Sequence, residues 1–274
     1  MPPTSPTIKI VSPSDLVVEQ YARWGWYGEQ GVGKSTLAAT VANAPGIDRA
    51  LIINIEGESL DAYKPHADKI KVVRIYRWDQ LAEVLILLRS KANPFQAVIF
   101  DSWPSRLAIM KIAGIDLSSE EAADLIRNPH KLSISAKKGQ DNYQLWQDVA
   151  SLQYTTYVSF ADLPAHLALI FQPEEREKNG EVHCGPALSP QTAQLIRPQL
   201  KLCGYLYAEP DELVTDIKEV SPDTIRPRRL LVDKHPYFFA KGPSHVLGAT
   251  VLNPTWSKLS KSLGAAPMEI EEEE

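Results

Sequence analysis

Short apolar runs and stretches of helical spacing alternate along this chain from Ala22 onward, the pattern of strand–helix–strand units around a parallel sheet. Ala22–Tyr27 reads as a strand running straight into a glycine-rich turn. Ser35–Asn43 reads as a helix with Leu37 and Val41 on one face, stopped by Ala44-Pro45-Gly46. Leu51–Ile55 is unbroken apolar sequence, as expected of a strand covered on both faces, and Ile70–Ile75 is a more polar version of it. Leu81, Val84, Leu85 and Leu88 have helical spacing with Asp79 as the expected N-cap, and Asn93-Pro94 ends that helix before the strand Ala97–Phe100. Leu145, Val149 and Leu152 mark a longer helix over Asp141–Phe160, followed by a buried strand at Leu167–Phe171.

The pattern changes from Gln199, where Leu200–Ala208, Leu213–Val220 and Arg229–Val232 read as strands with few helical signals between them. They predict an antiparallel extension of the same sheet. Three segments are expected: an extended arm over residues 1–20, in which Ile8, Ile10 and Val11 are the apolar cluster, an α/β domain over 21–245, and a C-terminal segment over 246–274. No internal repeat is found.

Composition narrows the class. Acidic residues outnumber basic ones by 34 to 29, but five glutamates lie in the last six positions (Glu269, Glu271, Glu272, Glu273, Glu274), so the body is neutral. A nucleic-acid contact must then come from a local patch, not a global field. Two cysteines, Cys184 and Cys203, without CxxC spacing, fit a reducing cytoplasm and argue against a disulfide framework or zinc site. No apolar run reaches the ~18 residues of a membrane span, and Met1–Pro6 lacks the features of a secretory signal. A cytoplasmic protein with no membrane partner is expected.

The candidate chemistry begins at Gly28-Glu29-Gln30-Gly31-Val32-Gly33-Lys34-Ser35, which satisfies G-x-x-x-x-G-K-[ST] without a mismatch, between a predicted strand and a predicted helix. Glycines let successive backbone N–H groups turn into one concavity that cradles phosphate oxygens. In such a loop Lys34 reaches the β- and γ-phosphates, the Ser35 hydroxyl ligates Mg2+, and Thr36 is placed for the α-phosphate. No guanine-reading N-K-x-D element occurs, which favours ATP.

Hydrolysis needs carboxylates as well. Ala97-Val98-Ile99-Phe100-Asp101 is an apolar strand ending in an acid, and ligand sites in parallel sheets lie beyond the strand C-termini, so Asp101 is the expected support for the metal. The position after it is Ser102, which cannot activate water. Leu51-Ile52-Ile53-Asn54-Ile55-Glu56 is a second apolar strand ending in a carboxylate. Glu56 is therefore the first candidate for the base, Glu58 the nearby competitor, and Asp61 reads as structural.

Gly28–Ser35, Ile53-Asn54-Ile55-Glu56, Val98-Ile99-Phe100-Asp101-Ser102 and Leu169-Ile170-Phe171-Gln172, in this order, resemble the core of RecA-like ATPases, over roughly Ala22–Lys241. The compact length looks most like the phage single-strand-annealing recombinase type. The resemblance implies a RecA-like P-loop NTPase core, a mostly parallel sheet flanked by helices, using ATP and Mg2+, with Glu56 activating water and Gln172 sensing the γ-phosphate.

It also implies single-stranded DNA as partner, assembly into a homo-oligomeric filament or ring, and a single-strand-binding protein as a further partner. The DNA would meet two loops: one between Trp103 and Gln140, with Arg106, Arg127, Lys131, Lys137 and Lys138, and one over Pro173–Pro190, with Arg176 and Lys178. Phosphate neutralisation plus stacking on aromatics is what sequence-independent strand binding requires. A neighbouring subunit would supply a cation to the γ-phosphate, with Lys234 and Lys241 as candidates and Arg228 and Arg229 as alternatives. The acidic tail reads either as a competitor of DNA for basic surface or as a solubilising end. A helicase-like or packaging motor, and a nucleotide-gated assembly factor with little turnover, are the competing functions on the same core.

Overall fold

The computed structural model describes residues 21–105, 108–109, 142–178, 180–208 and 227–263. An eight-stranded sheet runs in the order β10-β9-β8-β1-β5-β4-β2-β3. Its strands are β1 (Arg23–Tyr27), β2 (Ala50–Asn54), β3 (Ile70–Arg74), β4 (Ala97–Phe100), β5 (His166–Phe171), β8 (Leu202–Ala208), β9 (Arg228–Leu231) and β10 (Thr250–Leu252). A separate hairpin pairs β6 (Pro173–Lys178) with β7 (Glu181–Pro186).

Helices α1 (Lys34–Ala39), extended by a 3-10 turn at Thr40–Asn43, and α6 (Trp256–Leu263) cover one face. Helices α2 (Trp78–Arg89), α3 (Asn142–Ala161) and α4 (Pro190–Ile196) cover the other, and a short α5 (Ser244–Leu247) precedes β10. The strand pleat divides the core accordingly. Trp24, Trp26, Ile52, Ile99 and Ile170 pack towards α1 and α6. Tyr27, Ile53, Phe100, Leu169 and Phe171 pack towards α2–α4.

The central strand explains the arrangement. β1 pairs in parallel with β5 on one side and β8 on the other, so its residues are buried on both faces. Arg23 opens it as an anchor: its guanidinium donates to the carbonyls of Ala161, Leu163 and Ala165 at the end of α3 and in the turn beyond it. The Ala161 carbonyl is one that a helix end leaves without an intrahelical partner.

Four expectations are corrected. β8 runs parallel to β1, and only the β8–β9 and β9–β10 pairings are antiparallel, so the extension beyond Gln199 is only partly of the expected kind. Residues 173–186, expected as a loop, form the β6–β7 hairpin, whose polar residues on both faces hid its period; Gly180 at its tip takes φ 81°. Asp79 does not cap α2. Arg77 occupies that position, with the Gln80 side chain accepting from the backbone N–H groups of Tyr76 and Arg77. Of the segment expected after residue 245, residues 250–263 join the sheet and core. Trp256 is fully buried, its ring 4.9 Å from that of Trp24, and its backbone N–H donates to Thr40 Oγ1. The arm over 1–20, the stretch Leu213–Val220 and the acidic tail lie outside the described residues.

Candidate functional site at the carboxyl edge of the sheet

The parallel strands β1, β2, β4 and β5 end along one edge, and the sequence places Gly28, Glu56, Asp101 and Gln172 just beyond them. The turn from β1 into α1 is tight. A side chain on Gly28 would put its Cβ 2.2 Å from the carbonyl oxygen of Leu206 on β8. Gly31 and Gly33 take φ 79° and 96°, a region that L-residues with a Cβ avoid. Lys34 folds back onto the start of the turn that Glu29, Gln30 and Val32 continue, its Nζ donating to the carbonyls of Gly28 (2.7 Å) and Glu29 (3.0 Å). Burial lowers its pKa, opposed by the charges of Glu58, Asp101 and Glu29. Trp26 on β1 fixes the start of α1 by donating Nε1–H to the Lys34 carbonyl. Ser35 and the exposed Thr36 follow in the first turn.

Asp101 is buried to 1% exposure at the end of β4. Its Oδ2 accepts a 2.5 Å hydrogen bond from the phenol of Tyr63, whereas its Oδ1 is buried without a hydrogen-bond partner among the described residues. Tyr63 lies in a 3-10 turn over Asp61–His66 that packs against α1. Its pKa is pushed well up, by burial first and then by Asp101, with the Ser35 hydroxyl pulling the other way. Hard oxygen donors, Ser35 Oγ and the orphaned Asp101 Oδ1, are therefore gathered beside the phosphate loop, the donor type Mg2+ prefers. The residues fit such an ion.

The two glutamates beyond β2 have different surroundings. Glu56 Oε2 accepts from Ser102 Oγ (2.9 Å) and its Oε1 from the backbone N–H of Ser105 (2.8 Å), so the side chain braces the turn after Asp101. Glu58 faces Lys34, Asp101 and Gln172, accepting 2.7 Å from Gln172 Nε2. Its pKa rises to about 7, chiefly through burial and then through Asp101, with Glu56 adding to the effect and Ser102 opposing it. Gln172 is thus joined to Glu58, and the hairpin β6–β7 begins at the next residue.

The cations expected from a neighbour stand in varied places. Lys241 Nζ donates to the carbonyls of Arg197 and Pro198 beyond α4, a contact within its own chain. Lys234 is exposed on the corner after β9. Arg228 lies against the phosphate loop of its own chain: a Cβ on Gly33 would come within 2.6 Å of its Nε. Arg229 Nη1 donates to Thr250 Oγ1. Of the DNA-contact candidates, Arg106, Arg127, Lys131, Lys137 and Lys138 lie outside the described residues. Arg176 is engaged by Glu174 and the Leu188 carbonyl, and Lys178 ends β6. Tyr63 and the Ser102–Ser105 turn were not expected from the sequence, and nothing in the spacing of Tyr63 marks it.

Among the described residues no helix is long and apolar enough to cross a membrane. No curated protein matches the chain. A family model described as an AAA domain matches residues 20–244, most of the chain and all of the edge from Gly28 to Gln172. The chain belongs to this family, and its core is an AAA-type P-loop ATPase domain.

Proposed function

We propose that the protein is a RecA-like ATPase of the phage single-strand-annealing recombinase type, which hydrolyses MgATP, binds single-stranded DNA and assembles with copies of itself in the cytoplasm. The observation that carries the ATPase reading is the convergence of Lys34, Asp101, Glu58 and Gln172 beside the glycine turn. The strand order of functional residues along the chain supports the RecA-like assignment. Its DNA partner is supported by the basic positions between Arg106 and Lys138.

In this reading the turn from Gly28 to Ser35 holds the triphosphate, and Lys34 exchanges the carbonyls of Gly28 and Glu29 for phosphate oxygens. Ser35 Oγ and Asp101 Oδ1 would hold Mg2+, which supplies charge neutralisation on the β- and γ-phosphates. The attacking water gives its proton to Glu58 as its oxygen bonds the γ-phosphorus, and the bond to the β-phosphate oxygen breaks, leaving ADP and phosphate. A carboxylate with pKa about 7 is tuned for that transfer. Glu56, the first candidate from sequence, positions the turn after Asp101 through Ser102 and Ser105. Gln172 orients Glu58 and links it to the hairpin. Lys234 is the candidate left for a neighbour's active site, since Lys241 and Arg228 are held within their own chain.

The test is ATP turnover with and without single-stranded DNA for wild type, Glu58→Gln and Glu56→Gln. Loss of about 10²–10⁴ in kcat is expected for Glu58→Gln, the range of general-base contributions. A smaller loss is expected for Glu56→Gln. Full activity of Glu58→Gln would remove it as the base, and turnover indifferent to DNA would favour the motor or assembly readings.

A further inference from the structure

A second concavity opens beside Gly33. It has a volume of about 190 Å³ and is walled by Gly33, Thr36, Leu37, Arg228, Leu206 and the corner Asn253-Pro254-Thr255. That is below the ~300 Å³ at which clefts for whole small molecules begin, so it suits one part of a ligand whose remainder lies elsewhere. Gly33 and Thr36 belong to the phosphate loop and α1 as well, so this pocket and the phosphate cradle are continuous.

Its walls have a definite chemistry. Leu37, Leu206 and Pro254 give apolar surface, and all three are buried. The guanidinium of Arg228 lies on Gly33, with Nε and Cζ 2.6 and 2.7 Å from where a Cβ would stand, which only a glycine permits. A planar cation beside apolar side chains is a surface on which an aromatic ring stacks. The corner is built to hold its shape. Asn253 takes φ 42°, its N–H donates to the Arg228 carbonyl (2.7 Å), and its Oδ1 accepts from the Arg228 N–H (3.0 Å). That leaves the Asn253 amide nitrogen as a donor for a ligand. Behind it, the Trp256 backbone N–H donates to Thr40 Oγ1 and ties the corner to the end of α1.

We infer that this pocket seats the base of the bound nucleoside triphosphate, with Arg228 stacking on the ring, so that Asn253, Pro254 and Thr255 complete the nucleotide site. This rests on the nucleotide reading of the adjoining loop and extends it to residues beyond the matched stretch 20–244. Arg228 then acts within its own subunit, not as a cation lent to a neighbour.

The experiment uses the full chain and two probes in Mg2+: ATP, and inorganic tripolyphosphate, which has the phosphates without a base. Calorimetric titration of Arg228→Ala is expected to show ATP affinity reduced about tenfold, the scale of one desolvated cation–π contact. Tripolyphosphate affinity should stay within about twofold of wild type on the same scale. Equal losses for both probes would make Arg228 a phosphate contact and overturn the proposal, as would unchanged ATP binding. Wild type that binds neither probe would remove the nucleotide reading together with it. Independently of any variant, photolabelling of wild type with 8-azido-ATP should mark a peptide containing residues 249–258; labelling confined to other peptides would overturn the assignment.

Discussion

Replacing Tyr63 by Phe removes one oxygen from the interior and should reveal how Asp101 is held. The phenol is 3% exposed and donates at 2.5 Å to a carboxylate that is itself 1% exposed and already has one oxygen without a partner. No water can replace the lost donor without opening the packing of the 3-10 turn on α1. A hydrogen bond to a charged group contributes about 1.5–3 kcal/mol, and a domain of this size loses about 2–4 °C in Tm per kcal/mol. Tyr63→Phe should therefore melt roughly 3–12 °C lower by the same conversion. The assay is a double-mutant cycle of Tyr63→Phe and Asp101→Ala by urea unfolding, which isolates the pair from each residue's other contacts. A coupling of about 1.5 kcal/mol or more is expected. Additive effects, within about 0.5 kcal/mol, would refute the view that the phenol fixes the Asp101 carboxylate.

Two further outcomes test the frame around the site. His166 accepts the Ala22 N–H at Nδ1, and burial, then Arg23 and Lys201, lower its pKa from 6.5 to about 4. Between those values the unfolded chain binds the extra proton and the folded chain does not. Stability should thus be full above pH 6.5 and fall by on the order of 3 kcal/mol as pH drops to about 4. The same titration on His166→Asn should lack that component, and an identical acid profile in both proteins would count against it. Trp256→Ala should cost about 3–5 kcal/mol in urea unfolding, as for other fully buried aromatics. A loss under about 1 kcal/mol would mean that the C-terminal helix does not hold the sheet.

The phosphate loop could be read from the chain because its chemistry is local: glycines, a lysine and a serine at fixed offsets between a strand and a helix. Asp101 was legible for a related reason, an acid closing an apolar strand. The division between Glu56 and Glu58 was not. The strand ends at Asn54 and the chain turns at Gly57 with φ 78°, so the two-residue alternation that would put both acids on one side no longer applies. Strand direction was hidden as well, because the apolar run Leu202–Ala208 suits a parallel or an antiparallel neighbour equally. Tyr63 and Arg228 reach the site through contacts with residues 38 positions away and nearly 200 positions away, and no periodicity carries that information. The last helix was available in principle. Trp256, Leu259 and Leu263 have helical spacing, but among polar residues and after a change of pattern they were assigned to a terminal segment.

The central position of β1 has a consequence for biosynthesis. Its first partner is β5, Arg23 opposite Leu167, and its second is β8, Trp24 opposite Leu202. At ~5–20 residues per second, the ribosome needs roughly 7–30 s after making the glycine turn to deliver the first of these neighbours. Until then Trp24, Trp26 and Tyr27 have no sheet to enter, and the turn has no wall at Leu206 to close against. Pairings so remote in sequence are slow to form and leave apolar strand exposed in the nascent chain. The nucleotide cradle is translated well before the strands that wall it and takes its final shape only when they arrive.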